Sequence, residues 1–314
     1  LIFSSLFDLR KTYFLLAGIA GINPKYGTIG SVAFSKYAVQ VALQYEIDVR
    51  DLPSNFSTGY IPQGSTVPSE YPQSLYGTEV FEVNDALRQM AITFGETATL
   101  ADTSDAETYR AQYGVAANGI PAYLSATSNP GILSCDVSTS DVWFSGAELG
   151  TAFENTTTLF SNGSATYCMT AQEDNAILEA LLRGAVAQVL DFARVIVMRA
   201  ASDFDRPPPA VSATDNLFYQ TQGYGIALVN LYRVGVKVVM GIVNGWEGAG
   251  SASGGSNTKA GGNGTATGPG TSGEKNSSTT SFAAGIPPAN YIGDMFDTLR
   301  PGAGVEEALE PYFE

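Results

Sequence analysis

The sequence predicts an α/β fold built on one central sheet. Short apolar runs ending in small residues alternate along the chain with amphipathic stretches at helical spacing. Of the 314 residues 44% are hydrophobic, enough to bury a sizeable core, so wholesale disorder is ruled out. No internal repeat is visible, which leaves one large domain or two small ones.

The elements follow in order. Ser4–Arg10 reads as the end of a helix. Thr12–Ala17 (TYFLLA) is a short apolar run before small residues, hence a buried strand. Gly18–Pro24 reads as a tight Gly/Pro turn, and Gly30–Ala42 has strand character at its start. Residues 50–78 carry Pro53, Pro62, Pro68 and Pro72 and form a long surface loop. A helix is expected over Asn84–Thr99, with Leu87, Met90, Ala91 and Phe94 at helical spacing. A second covers Ser104–Tyr113, with acids in its first turn. Gly131–Phe144 holds a strand pair, or a strand and turn, around Cys135 and Asp141. Ala147–Phe160 is helical at first and polar at its end. Glu173–Leu190 is the clearest helix, its stripe formed by Ile177, Leu178, Leu181, Leu182, Val186 and Val189. Ala193–Ala200 is a strand buried on both faces. Phe218–Trp246 reads as a long helical segment broken by Gly223, Gly225 and Gly235. In 248–281, Gly, Ser and Thr fill 23 of 34 positions, so a disordered surface insertion is expected there. Order returns at Ile286–Leu299.

Charge excludes several functions. Lys and Arg total 16 against 31 Asp and Glu, a net charge of −15 that repels phosphate backbones, so nucleic acid is not an expected partner. There is no His, which removes Ser-His-Asp triads, Cys-His pairs and His-ligated metals; no metal site is expected. Acid–base chemistry must come from Asp, Glu, Lys, Tyr or Cys. No apolar run reaches the roughly 18–20 residues that span a bilayer; the nearest are Tyr13–Ile22 and Ala193–Ala201, so no membrane span is expected.

Two cysteines, Cys135 and Cys168, allow one bridge. Five sequons occur, at Asn55, Asn155, Asn162, Asn263 and Asn276, three in stretches that read as loops. Both features, with the low Lys content, fit a secreted or cell-surface protein; the competing reading is two buried thiols in a cytosolic one.

Four stretches could carry chemistry. In Arg199–Pro209 (RAASDFDRPPP) a buried strand runs into Ser202-Asp203, and in open α/β sheets ligands sit at the carboxyl ends of strands. A carboxylate there can hold a proton if its surroundings raise its pKa; the plainer reading is a turn Asp. In Tyr167–Ala176 (YCMTAQEDNA), Gln172, Glu173 and Asp174 interrupt an apolar region at a helix start. A Glu there either complements the helix dipole or accepts hydrogen bonds from sugar hydroxyls. Ala17–Gly21 lets a ligand approach the backbone, although it is neither GxGxxG nor a P-loop. In Thr139–Gly146 the Asp is readable as structural and Trp143 as core.

Together these stretches resemble the fungal purine nucleoside permease family, within the nucleoside phosphorylase/nucleosidase superfamily. The likeness runs through FLLAGIAGINPKYGTIGSVAFSKYAVQVALQYEID, GYIPQG, YPQSLYGTEVFEVN, TSDVW, TAQEDNA and RAASDFDRPPP. It implies a single three-layer domain over 1–314, with a central mixed sheet flanked by helices, nucleoside phosphorylase-like and lacking its N-terminal strands. It also implies the roles. Asp203 would protonate the purine at N7, with Ser202 orienting it. Glu173 would bind the ribose hydroxyls, with Gln172 under the sugar where the superfamily has Met. Ala20 and Gly21 would contact the nucleoside through backbone, and Tyr167 would stack on the base. The expected activity is cleavage of the purine–ribose bond. No cofactor is implied; inorganic phosphate stays open as a co-substrate, so hydrolysis and phosphorolysis are both open. A homo-oligomer, and an N-terminal fragment completing the fold, are implied as partners. Two other functions stand beside the enzyme: a non-enzymatic nucleoside-binding protein assisting uptake, and a storage protein with a dead site.

Overall fold

Apolar runs pair into a nine-stranded mixed sheet with helices on both faces, as seen in a computed structural model that describes residues 2–4, 6–219, 221–247 and 281–299. In chain order the elements are β1 (Phe14–Ile22), β2 (Val32–Ser35), β3 (Tyr37–Gln40), β4 (Gln44–Glu46), β5 (Tyr60–Pro62), β6 (Val80–Glu82), α1 (Asp85–Gly95), α2 (Ser104–Ala111), β7 (Ile132–Ser134), β8 (Asp136–Thr139), α3 (Ala147–Phe160), β9 (Tyr167–Ala171), α4 (Asp174–Val186), β10 (Val195–Phe204), α5 (Ala213–Phe218), α6 (Tyr224–Asn244) and β11 (Gly293–Asp294). The sheet order is β11-β6-β3-β8-β9-β1-β10-β2-β7, and β4 and β5 form a separate hairpin.

Single residues separate β2 from β3 (Lys36) and β7 from β8 (Cys135), so the β2–β7 ladder runs on into the β3–β8 ladder and the sheet curls. The buried carboxylate of Asp136 pins this bend. It accepts the amides of Lys36 (3.0 Å), Tyr37 (2.9 Å) and Thr166 (2.8 Å), which the bend takes out of the ladder. The Cys135–Cys168 disulfide crosses the same place, with Cα atoms 5.9 Å apart.

Three apolar clusters hold the layers. Leu178, Leu181 and Leu182 of α4 pack on Val195, Val197 and Ala201. On the opposite face, Val234 and Val238 of α6 and Leu87 of α1 pack on Ile196, Met198 and Ala200. Phe153 and Phe160 of α3 meet Val39, Val41 and Tyr167.

The structure corrects three expectations. The described residues of Ser4–Arg10 form no helix: the Asp8 carboxylate takes the Arg10 amide at 3.1 Å, a local bond that competes with helical pairing. The stretch Gly18–Ile22 is not a turn but the second half of β1, paired residue by residue with β10. The glycines inside α6 do not break it: Gly223 precedes its first residue, and Gly235 faces Met198 and Leu15 of the sheet. The same helix bears on the expectation that no segment spans a bilayer. An 18-residue window of α6 reaches mean hydropathy 1.8, enough by length and composition alone to cross a membrane, while Ile226, Val234, Val238 and Ile242 of the helix are buried inside the fold. Asn230, Arg233 and Lys237 interrupt its apolar run.

Asn55, Asn155 and Asn162 are all exposed, although Asn155 lies within α3 and Thr157 of its sequon is buried. Asn263, Asn276 and 248–280 of the expected insertion lie outside the described residues.

Candidate active site

The site forms where β10 leaves its register with β1. The strands pair in step from Phe14/Val195 to Ala20/Ala201, and then Gly21 pairs with Asp203. Ser202 is thus the extra residue of a bulge, a device that re-aims side chains. Before the bulge Val195, Val197 and Ala201 face α4; after it the α4-side core receives Phe204. The alternation has reversed, and Asp203 is turned out of the face it would share with Arg199 and Ala201.

Ser202 Oγ lies 2.7 Å from Asp203 Oδ1 and 3.1 Å from the Ala20 carbonyl oxygen. Its single proton serves one acceptor at a time. It can donate to an ionised Asp203, or donate to Ala20 while accepting from a protonated one. Burial pushes the Asp203 carboxyl up to about 6; the Ser202 hydrogen bond opposes the shift and the charge of Asp205 adds to it.

Arg199 is a charged side chain in mid-strand, and the surrounding residues are built around it. Its guanidinium donates to both oxygens of buried Asp174, to Glu173 Oε2 at 3.1 Å and to the Ile19 carbonyl at 3.3 Å. Burial works against its charge, but Asp174 and Glu173 outweigh it and hold the pKa above the ordinary value. Gly18, opposite Arg199 in the register, has no room for a Cβ because the guanidinium lies across it. Glu173 precedes α4, its side chain 58% exposed and facing the cleft. Gln172 is exposed beside it, its amide 3.4 Å from the Asp141 carbonyl. Thr170 Oγ1 takes the Gly21 amide at 2.8 Å.

Two adjoining cavities open here. The first, about 530 Å³, is lined by the β1 backbone through Ala20 and Gly21, by Gln172, Glu173 and Arg199, and by Asp203. The second, about 1000 Å³, lies toward α5 and α6. Ile19, Trp143 and Asp203 line both.

Of the residues expected from sequence, Asp203, Glu173, Gln172, Ala20 and Gly21 meet at the first cavity, and Ser202 stands behind Asp203. Tyr167 does not join them. It is buried against Val39, Val41 and Phe153, and its hydroxyl donates to Asp205 Oδ2 at 2.6 Å. Asp205 in turn holds Arg206 through bonds of 2.8 and 2.7 Å. Conversely Trp143, readable as core, is 54% exposed on the rim. Sequence reasoning passed over Arg199, although a charge inside an apolar strand signals a buried pair.

The arrangement sets a carboxyl with a raised pKa beside an exposed carboxylate kept in place by a buried arginine. That suits a neutral ligand with a basic nitrogen at one end and hydroxyls at the other. A family model described as purine nucleoside permease (NUP) matches residues 1–251. A Candida albicans protein called purine nucleoside permease is 40% identical over 309 residues, 96% of this chain and 66% of that protein. A Schizosaccharomyces pombe protein called probable purine nucleoside permease is 36% identical over 249 residues, 76% of this chain and 69% of that protein. The chain therefore spans about two thirds of the length of these relatives. Among solved structures, a 5′-methylthioadenosine/S-adenosylhomocysteine nucleosidase from Neisseria meningitidis is similar at TM-score 0.36 and 12% identity, over 72% of this chain and 68% of that one.

Proposed function

The chain belongs to the purine nucleoside permease family, and from that premise we propose that it binds a purine nucleoside and cleaves its purine–ribose bond. The observation that carries this reading is Asp203, a carboxyl whose pKa is lifted to about 6 at a cleft whose other wall holds Glu173.

The chemistry needs both groups. A purine leaves poorly as an anion; protonated at N7 it leaves as a neutral base. Asp203 supplies that proton, and the bond between C1′ and N9 breaks with its electron pair going to the base. The sugar becomes cation-like, and Glu173 holds its hydroxyls while the positive charge builds. Arg199 keeps Glu173 aimed, and Gly18 gives Arg199 its path. Water or phosphate then adds at C1′ and gives up a proton, yielding ribose or ribose 1-phosphate. Trp143, at the meeting of the two cavities, gives the base an aromatic wall.

Three features of setting belong to the same reading. The Cys135–Cys168 bridge and exposed Asn55 and Asn162 support a place outside the cell or at its surface. Among the described residues β1 pairs with β9 at Ile22 alone, and Ala17 is exposed, so this stretch of its edge can accept a further strand. Exposed Val229, Tyr232, Val236, Val239 and Val243 of α6 recur at three- and four-residue spacing, a seam for a second copy.

The name permease favours a second reading, in which the nucleoside is bound intact and handed to a membrane partner. Product analysis separates the two. Full-length protein is incubated with inosine or adenosine, with and without phosphate. Base plus ribose without phosphate indicates a nucleosidase; ribose 1-phosphate formed only with phosphate indicates a phosphorylase. Intact nucleoside in both, with binding retained, would replace cleavage by the carrier reading.

A further inference from the structure

We propose that the second cavity receives a bulky apolar substituent at C6 of the purine, so that the substrates include 6-substituted purine nucleosides. This rests on the reading of Asp203 and Glu173 above and extends it. With the sugar at Glu173 and N7 at Asp203, the base's orientation is fixed. N7 and the C6 substituent lie on the same edge of a purine, so the group at C6 passes Asp203 and points away from the sugar. That is where the second cavity begins, since Asp203, Trp143 and Ile19 line both spaces.

The second space is too large for the base alone. At about 1000 Å³ it reaches the top of the range that encloses most of a drug-sized ligand. Apolar and aromatic residues, Leu217, Tyr219, Tyr224, Ile226 and Val229 among them, form much of its lining, which Asp105 and Arg233 also join. The wall is tied to the acid. Thr221 Oγ1 donates to the Ser202 carbonyl at 2.9 Å, and Gly223 packs on that same carbonyl so closely that no Cβ fits. Between them Gln222 is held at φ 58°, a backbone conformation few side chains adopt freely. The cavity is therefore pre-formed beside Asp203 rather than opened by a ligand.

Gly225 supplies the test. It lines the second cavity, and a Cβ built on it meets nothing within 4 Å. Gly225→Phe adds a bulky ring at this wall, with room for its Cβ, and it sits in the first turn of α6, where losing a glycine favours the helix. Binding of adenosine and N6-benzyladenosine is measured by calorimetry on the full-length protein and on Gly225→Phe. The wild type should bind N6-benzyladenosine at least as tightly as adenosine. Gly225→Phe should weaken N6-benzyladenosine by roughly tenfold or more, the scale of an overfilled site, and adenosine by less than about threefold. Adenosine bound by the wild type with N6-benzyladenosine rejected would overturn the inference alone. Equal losses for both ligands in Gly225→Phe would do the same. Failure of the wild type to bind either nucleoside would overturn the underlying nucleoside reading and the inference with it.

Discussion

Ser202 Oγ stands 2.7 Å from Asp203 Oδ1, and the two residues owe this contact to a bulge that advances β10 by one residue past β1. The serine can bond either protonation state of the acid, so neither state leaves a buried oxygen unpaired. A carboxyl that gives up and regains a proton, as the proposed cleavage requires, needs such a neighbour.

The first prediction is a pH dependence. The Asp203 carboxyl is lifted from 3.8 to about 6, so the proton it must deliver is present below that value. Cleavage rate should be flat below pH 6 and fall about tenfold per unit above it, for a single essential acid. A stopped assay of base release from pH 4.5 to 8.5 checks this.

Stability should move with the same group. Because the folded-state pKa is raised, Asp203 costs nothing below 3.8, and its penalty grows as pH rises through about 6. Asp203→Asn should therefore unfold at equal or higher temperature than wild type at pH 8, with a ceiling of about 3 kcal/mol. At pH 3.5 the two should coincide. Scanning calorimetry at both values reads the difference.

Glu173 is mostly exposed, so its loss should cost affinity rather than folding. Glu173→Gln should weaken binding of a riboside about 10- to 100-fold, the worth of hydrogen bonds to a charged group. It should leave a 2′,3′-dideoxynucleoside nearly unchanged. Calorimetric titration of the two ligands gives the contrast.

Arg199 behaves oppositely. It is buried and paired with fully buried Asp174, so Arg199→Met strands a carboxylate. The expected loss is about 3–5 kcal/mol in a denaturant titration. Arg199→Lys should recover part of the stability, but not the full effect of a guanidinium that bonds Asp174 and Glu173 together.

The residues that meet at the first cavity were marked by the family resemblance, since local sequence alone left Asp203 readable as a turn residue and Glu173 as a helix-start residue. Asp203 and Glu173 each sit in a short polar interruption of an apolar stretch, and local contrast of that kind survives in one dimension. The two cysteines allowed a bridge or two buried thiols, and the structure forms the bridge between Cys135 and Cys168. What was lost depends on contacts far apart in sequence. Gly18–Ile22 looks like a turn by composition and is a strand because β10 pairs with it. Tyr167 looked like a stacking face, yet its hydroxyl is engaged by Asp205, 38 residues away. Trp143 looked like core and is on the rim, since nothing local says which side of the sheet closes over it. The bulge at Ser202 has no signature in the residues around it, and it decides where Asp203 points.

The central claim is that Asp203 delivers a proton to the departing base, and one comparison reaches it directly. Free base released from inosine is measured for the full-length wild type and for Asp203→Asn at pH 5.5, with nucleoside binding checked by calorimetry in both. The account predicts that binding survives within about tenfold while base release falls by roughly 10²–10⁴-fold, the usual share of general acid catalysis. Unchanged base release from Asp203→Asn, with the nucleoside bound as before, would contradict it.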